Sequence, residues 1–207
     1  MILREKYFNR PTLVAARELV GKFLVRRWRG REITGMITEV EAYDGWNDKA
    51  SHASRGMTAR NAPMFGGAGR WYVYFTYGMH WLLNIVTREK GYPAAILIRG
   101  AAVTSSLRGG RPRRPTKQSH DNVRLPQPTA VGFAMTTPIN GPARLTKYFH
   151  IDKRFNGKPA SKKIGLWIED RGVRVKNSDI ARTPRIGVAY AGKVWSGKKY
   201  RFLTNKA

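Results

Sequence analysis

The hydrophobic and polar positions of residues 36–43 alternate, which is the pattern of a β-strand with two different faces. This alternation divides the side chains between the two faces, with Met36, Val40 and Ala42 on one and Ile37, Glu39, Glu41 and Tyr43 on the other. The carboxylate of Glu41 and the ring of Tyr43 are therefore expected to open into the same space.

A second strand is predicted for residues 71–76, where aromatic and β-branched residues follow one another. The next residues, Tyr77-Gly78-Met79, are predicted to form a turn in which Gly78 supplies backbone freedom. We therefore expect a β-hairpin whose tip projects Tyr77 and Met79 outward.

Other periodic segments predict a mixture of helices and strands. A helix is predicted from residues 9–11 to Gly21, and a shorter one after residues 140–142. Further strands are predicted at residues 22–27, 33–43, 94–99, 164–169, 185–189 and 200–203. The strand at 94–99 is almost wholly apolar, so we expect it to be central in a sheet, with Arg99 emerging at its end. Residues 44–70 are expected to form a long loop that is ordered if it cradles a ligand.

The composition of the chain indicates the class of its binding partner. The chain of 207 residues is long enough for one domain with a substantial core, and a single domain over 1–207 is expected. Its 39 Lys and Arg residues against 13 Asp and Glu give a formal net charge of +26. Such an excess attracts polyanions by releasing condensed counterions, so nucleic acid is the first candidate partner. A membrane partner is not expected, because the sequence has no long apolar run; we expect a cytoplasmic protein, associated with the nucleoid in a bacterium.

Residues 104–137 differ in composition from the rest of the chain. Their segment 107–115 is basic and contains several helix and strand breakers, which is typical of a flexible insertion. Two interpretations are open, a phosphate-gripping arm and a solvated insertion. The arm is favoured because the whole chain is basic.

The candidate chemistry is narrowed by what the sequence lacks. The four histidines do not have the spacing of a metal site, and no metal is predicted. The absence of cysteine excludes disulfides, thiol nucleophiles and Cys-ligated zinc. What remains is a carboxylate beside aromatic rings in a basic protein, which points to an enzyme acting on a nucleobase removed from its helix. Spacing alone leaves Glu39 and Glu41 nearly equal as that carboxylate.

An ordered series of motifs carries a resemblance to a known family. The motifs are Glu41-Ala42-Tyr43, Asp48, Ala50, His52, Thr58, Arg60-Asn61, Met64-Phe65, Tyr72-Val73-Tyr74, Tyr77-Gly78, Asn84, Arg99, Asn140-Gly141-Pro142, Leu145, Arg185-Ile186-Gly187 and Tyr190-Ala191. The series resembles the signature of the alkyladenine DNA glycosylase (3-methyladenine DNA glycosylase) family. It covers nearly the whole chain apart from the insertion.

The resemblance implies both a fold and an activity. The fold is a single α+β domain around a curved, largely antiparallel β-sheet, with flanking helices and a protruding hairpin. The activity is that of a monofunctional DNA glycosylase, which flips alkylated or deaminated purines out of double-stranded DNA and hydrolyses the N-glycosidic bond to leave an abasic site. No metal or cofactor is implied, and a monomer is expected. The preferred base is left open among 3-methyladenine, 7-methylguanine, hypoxanthine and ethenoadenine.

The resemblance also implies catalytic and base-binding residues. Glu41 corresponds to the general base that activates the attacking water, and Arg99 to the residue that orients this water. The base-binding pocket is implied to consist of Tyr43, Ala50, His52, Tyr74 and Asn84. In this pocket Asn84 corresponds to the residue that obstructs the exocyclic amine of ordinary guanine.

The remaining DNA contacts complete the expected interface. Tyr77 corresponds to the side chain that enters the minor groove and fills the vacated place in the stack, and Met79 is expected to brace it. Phosphate contacts are expected from four basic residues and one threonine, namely Arg55, Arg60, Arg70, Lys193 and Thr58. After Arg99 this chain departs from the family, because residues 100–103 stand where an acidic residue is often found.

Two other functions are weighed against the glycosylase. The first is a noncatalytic basic module that binds and bends DNA with Tyr77 and Met79 as a wedge; the carboxylate of Glu41 argues against it, because a pure binder has no use for that charge beside phosphates. The second is a lyase that also nicks the backbone. It ranks low because no lysine stands within the matched pocket motif.

Overall fold

The computed structural model describes residues 1–104 and 135–205. Most of the predicted insertion at 104–137 therefore lies outside the described residues. The described helices are α1 (Glu5–Phe8), α2 (Thr12–Leu19), α3 (Pro142–Tyr148) and α4 (Gly192–Gly197). The described strands are β1 (Phe23–Trp28), β2 (Arg31–Asp44), β3 (Trp71–Thr76), β4 (His80–Val86), β5 (Ala94–Thr104), β6 (Met135–Asn140), β7 (Leu166–Glu169), β8 (Ala181–Thr183) and β9 (Arg201–Leu203).

All nine strands of the described chain belong to one antiparallel sheet. The main path through it is β3-β4-β5-β2-β1-β7, while β6 extends β5 and β9 joins β2 to β8. The predicted α+β class with a largely antiparallel sheet is confirmed. Strand β2 is the longest strand and pairs with β1, β5 and β9. Its second half lies between β5 and β9, so the residues of that half are at the centre of the sheet.

The faces of β2 are not those that simple alternation predicts. The pairing with β5 shifts between Ile37 and Glu39 and again between Glu39 and Val40. Ile37 consequently packs in the main core with Val40, while Met36 packs on the opposite face in a smaller cluster. The prediction was wrong for Met36 and Ile37, because a bulge offsets the alternation by one residue. Glu41 and Tyr43 lie beyond the bulge and share a face as predicted, with their side chains in direct contact.

The main core fills one face of the sheet. Helices α1, α2 and α3 contribute Phe8, Leu19 and Leu145, which pack with Trp71 of β3 and Ile98 of β5. Alternate residues of the same strands point to the other face. Helices α1, α2 and α3 therefore cover one side, and the opposite side of β2, β3, β4 and β5 is left for the cavity described below.

The long segment between β2 and β3 is ordered by short helices. Two 3₁₀ turns, His52–Arg55 and Ala62–Phe65, interrupt the predicted loop. Met64 and Phe65 pack against Tyr72, Val86 and Ala95 in a separate apolar cluster. The segment between β2 and β3 is therefore packed against the face of the sheet that is opposite the main core.

Two strand predictions need correction. Strand β5 continues past Arg99 to Thr104, because residues 100–103 pair with both β2 and β6; Arg99 lies within the strand and not at its end. The strand predicted at 185–189 is wrong: Gly187 has a φ of 75° and a 3₁₀ turn begins at Ala189. Its apolar residues Ile186 and Val188 resemble a strand only in their alternation.

Candidate active site

A cavity of about 310 Å³ opens on the face of β2, β3, β4 and β5 that is opposite the main core. Its lining includes seven residues for which a role in the site was predicted from the sequence, namely Tyr43, Ala50, His52, Tyr74, Tyr77, Asn84 and Arg99. Glu41 has no exposed surface and lies behind Tyr43 and Arg99. The fold therefore brings the proposed base and its pocket together.

The carboxylate of Glu41 is held from both sides. The backbone N–H of Ile186 donates to its Oε1 at 2.8 Å, and the hydroxyl of Tyr43 donates to its Oε2 at 2.9 Å. The Nε of Arg99 lies 3.4 Å from Oε1. Burial raises the pKa of Glu41 above its usual value, although the Arg99 charge and these two donors oppose the increase.

Arg99 contacts Glu39 and Glu41 of β2. Its Nε donates to Oε1 of Glu39 at 2.8 Å, which is shorter than its approach to Glu41. Arg201 reaches the same oxygen of Glu39 from β9 at 2.6 Å. Glu39 is thus engaged by two guanidinium groups, whereas Glu41 contacts the pocket residue Tyr43. The geometry favours Glu41 over Glu39 as the group that serves the cavity.

Aromatic rings form one wall of the cavity. The His52 ring meets the Tyr74 ring edge to face at 4.7 Å, and Tyr72 lies 5.1 Å from Tyr74. The hydroxyl of Tyr72 lies 3.0 Å from Nδ1 of His52. Burial, together with the nearby charge of Arg60, lowers the pKa of His52, so the neutral imidazole is favoured near pH 7. This wall offers apolar faces with a few hydrogen-bonding edges.

Asn84 lies on β4 opposite Tyr72. Its amide nitrogen donates to the Tyr72 carbonyl at 3.1 Å, and its side chain is almost fully buried where it lines the cavity. The cross-strand bond fixes the amide in one orientation. Leu82 and Leu97 add apolar surface to the same cavity.

The predicted hairpin is confirmed, and its tip lies at the cavity mouth. The turn closes with the N–H of Met79 donating to the Thr76 carbonyl at 3.1 Å. Both central residues have positive φ, 51° at Tyr77 and 66° at Gly78, as in the type I′ turns that suit two-residue hairpin connections. Tyr77 is 85% exposed and Met79 is 68% exposed. Two large apolar side chains therefore project into solvent beside the cavity.

Comparison with known proteins decides the family. Residues 6–207 match the model of the methylpurine-DNA glycosylase (MPG) family. The chain is 41% identical to a putative 3-methyladenine DNA glycosylase of Methanocella arvoryzae, covering 93% of this chain and 87% of the relative. It is 37% identical to a protein of the same description from Sodalis glossinidius, covering 97% and 95% of the two chains.

The chain belongs to the methylpurine-DNA glycosylase family. The resemblance drawn from the motifs is confirmed, as is the expectation of an enzyme of the DNA glycosylase class that processes alkylated purines. None of the helices in the described residues is long and apolar enough to cross a membrane.

The residues predicted to bind phosphates differ in how near they lie to the cavity of this glycosylase. All five side chains are exposed: Arg55, Thr58, Arg60, Arg70 and Lys193. Arg60 donates to the Phe75 carbonyl and lies over the Tyr74 ring, which places it beside the cavity. Arg70 instead lines a separate surface cavity and donates to the Gly157 carbonyl. The structure therefore groups Arg60 with the site and sets Arg70 apart from it.

The segment after β8 supplies residues to which sequence reasoning assigned no role. Ile186, Val188 and Tyr190 line the cavity, and the Tyr190 hydroxyl donates to the Ala50 carbonyl at 2.8 Å. Behind them Arg185 pairs with Asp48. Arg185, Ile186 and Tyr190 belong to the family motif, but the apolar alternation of the segment led to the prediction of a strand. The glycine at 187 within that run was the signal that could have indicated a loop.

Proposed function

We propose that this enzyme extrudes a damaged purine from duplex DNA, holds it in the cavity beside β2 and hydrolyses its N-glycosidic bond with a water activated by Glu41. The observation that carries the proposal is the placement of the Glu41 carboxylate. It is held by Ile186, Tyr43 and Arg99 directly behind an aromatic cavity of about 310 Å³. One chain of a single domain supplies every group named.

The cavity walls suit an alkylated purine. Aromatic faces stack on nucleobases with about 1–3 kcal/mol per base, and Tyr74 and His52 offer such faces. A purine methylated at N3 or N7 carries a positive charge, which electron-rich tyrosine rings attract. The Asn84 amide, which is held by its bond to the Tyr72 carbonyl, is assigned the role of obstructing the exocyclic amine of ordinary guanine.

The chemistry follows from the charges around Glu41. As the bond between C1′ and the purine breaks, its electron pair leaves with the base and the sugar gains oxocarbenium character. Ionised Glu41 stabilises that charge and accepts a proton from the water whose oxygen bonds to C1′. Arg99, which lines the cavity and contacts Glu41, orients this water. The purine with a methyl group on N3 or N7 leaves as a neutral base, whereas hypoxanthine has to gain a proton.

The hairpin tip supplies the wedge. Extruding a nucleotide costs a few kcal/mol, less where the base is damaged or mispaired. The Tyr77 ring, which projects into solvent beside the cavity, takes the vacated place in the stack and offsets part of that cost. Met79 supports it from the same turn. Arg55, Thr58, Arg60 and Lys193 hold the phosphates around the site, and Arg70 extends these contacts.

A single-turnover assay tests the function. Excess protein acts on methylated DNA and on duplexes with one hypoxanthine or one ethenoadenine, and alkali reveals abasic sites. Wild-type protein should give strand breaks only after alkali, and Glu41→Gln should lower the rate about 10²- to 10⁴-fold while still binding DNA. Equal rates for the two proteins would refute Glu41 as the base. Tight binding with no release of any base would make the chain a DNA-bending module instead.

A second arm tests whether the enzyme is monofunctional. None of the described residues that line the cavity is a lysine, so none of them offers an amine that could attack C1′. Borohydride should trap no covalent adduct between protein and DNA. A trapped Schiff base would contradict hydrolysis by water.

A further inference from the structure

Arg185 and Asp48 form an ion pair behind the cavity wall. Neither side chain has any exposed surface. The guanidinium is bidentate, with Nη1 donating to Oδ2 of Asp48 at 2.5 Å and Nη2 donating to Oδ1 at 2.8 Å. Paired charges in this geometry are directional as well as strong, so they fix the relative orientation of the groups that carry them.

The pair connects separate parts of the chain. Asp48 accepts the backbone N–H groups of Asp44 and Ala50, which shapes the turn after β2. Arg185 Nη1 also donates to the Ala42 carbonyl within β2, at 2.9 Å. The guanidinium lies 4.7 Å from the centre of the Tyr43 ring. The segment after β8 and the turn after β2 are therefore both attached to the strand that carries Glu41.

Both neutral donors to Glu41 lie next to this ion pair. Ile186 is the next residue after Arg185, and its N–H donates to Glu41 Oε1 at 2.8 Å. Tyr43, which lies against the guanidinium, donates to Oε2 at 2.9 Å. Arg185 itself is absent from the described lining of the cavity. Any influence on the reaction must pass through the groups that it holds.

We propose that Arg185 is a positioning residue that, through Asp48, keeps the Ile186 N–H and the Tyr43 hydroxyl aimed at the Glu41 carboxylate. The inference rests on the proposed function, because it concerns the same carboxylate. A buried ion pair contributes little net stability compared with apolar packing, so maintaining geometry is the role that this pair performs best. Without it, the carboxylate loses donors that favour its ionised form.

Arg185→Lys tests the proposal. Lysine keeps the positive charge beside Asp48 but cannot make the bidentate pair or reach Ala42 at the same time. We expect the single-turnover rate on methylated duplex DNA to fall roughly 10- to 100-fold, because small displacements of catalytic groups are costly. The midpoint of the pH–rate profile should move upward by about one pH unit, as expected for one lost hydrogen bond to a carboxylate. Affinity for the duplex should change less than about 3-fold, because Arg185 does not line the described cavity.

The control and a second variant separate positioning from folding. Arg182→Lys makes the same exchange at an exposed arginine of β8 and should leave the rate and the midpoint unchanged. The double variant Asp48→Asn/Arg185→Gln removes both charges together, so neither is left buried and unpaired. It should show the same upward shift in midpoint as Arg185→Lys. An NMR titration of the Glu41 side-chain carboxyl in these variants measures the same effect without turnover.

The outcomes are distinct. A lower rate with an unchanged midpoint and an unchanged Glu41 titration would show that Arg185 is only structural, and an unchanged rate would show that it has no role. Failure of the proposed function appears differently, as full activity in Glu41→Gln. Even then, an upward shift of the Glu41 titration in Arg185→Lys would support the positioning role, and no shift would refute it.

Discussion

Glu39 and Glu41 stand two residues apart on β2 and have different partners. Glu39 accepts from Arg99 at 2.8 Å and from Arg201 at 2.6 Å, so its charge is balanced by two cations. Glu41 accepts from the neutral Ile186 N–H and Tyr43 hydroxyl, and shares only Arg99. A buried carboxylate with incomplete compensation is the arrangement expected of a base rather than of a structural ion pair.

The raised pKa of Glu41 predicts a pH dependence of activity. The base must be ionised, so the single-turnover rate should fall as pH decreases through that raised value, and should reach a plateau above it. The measurement is the rate on methylated duplex DNA between about pH 5 and pH 9, a range that brackets the values of perturbed carboxyl groups. A rate that stays constant across the range would contradict the assignment.

The same shift predicts a stability effect of opposite direction. A carboxyl whose pKa is higher in the folded state binds its proton more tightly there, so its contribution to stability is present below the unfolded pKa. That contribution is lost as pH rises through the folded pKa of Glu41. We therefore expect Glu41→Gln to match the wild-type Tm at acidic pH and to exceed it at pH 8. Thermal unfolding followed at several pH values checks this, and a mutant less stable than wild type at pH 8 would refute it.

At the scale of elements, the cavity is built from loops attached to a rigid sheet. The segment between β2 and β3 would be costly to order without internal bonds, and Asn61 supplies several of them. Its amide nitrogen donates to the carbonyls of His52 and Gly56 at 2.9 Å each, and its Oδ1 accepts the Thr58 N–H at 2.6 Å. The loop that carries the pocket residue His52 is thus fixed by one buried side chain.

Asn61→Ala should therefore loosen the pocket as well as the fold. The substitution leaves a donor and two acceptors without their partner, which costs about 2–3 kcal/mol of stability in total. Denaturant unfolding measures that loss, and a base-binding assay should show weaker retention of the flipped base. Asn47→Ala is the matched control in the same segment, because Asn47 is exposed. Similar losses in the two variants would refute the role of Asn61.

The hairpin predicts a difference between double-stranded and single-stranded substrates. Under the proposed mechanism the Tyr77 ring replaces the flipped base in the stack, so Tyr77→Ala should slow excision from a duplex about 10-fold. A damaged base in single-stranded DNA has no stack to refill and should be released at the wild-type rate. Tyr148→Ala, at a partly exposed tyrosine of α3, is the control. Equal losses on both substrates would show that Tyr77 acts on something other than extrusion.

The hairpin could be predicted from the sequence more completely than the contacts of the site. The β3–β4 turn is local, because its glycine and the flanking alternation specify it, and it was predicted correctly. The bulge at Glu39 depends on pairing with β5, which lies about sixty residues later, and no local pattern indicates it. Likewise, the bond from Ile186 to Glu41 joins residues 145 positions apart. The motif could place these residues in a family, but contacts between distant segments appear only in the folded chain.

At the scale of the whole molecule, the high positive charge favours association of the protein with DNA. The net charge of +26 exceeds what a handful of phosphate contacts requires. Its field accelerates encounter with any duplex and supports binding to undamaged sequence. Under the proposed mechanism, selectivity must therefore come from base extrusion and from the cavity, after the protein is already bound.

Salt dependence separates residues that touch phosphates from those that only add to the field. Each contact that releases a counterion contributes about one unit to the slope of log K against log salt. Lys193→Ala and Arg55→Ala should each reduce this slope by about one, to the same extent on damaged and undamaged duplexes. Lys163→Ala, at an exposed lysine in the segment before β7, removes the same charge and should change the slope much less. If all three variants reduced the slope equally, the affinity would come from the overall field, and Lys193 and Arg55 would not be specific contacts.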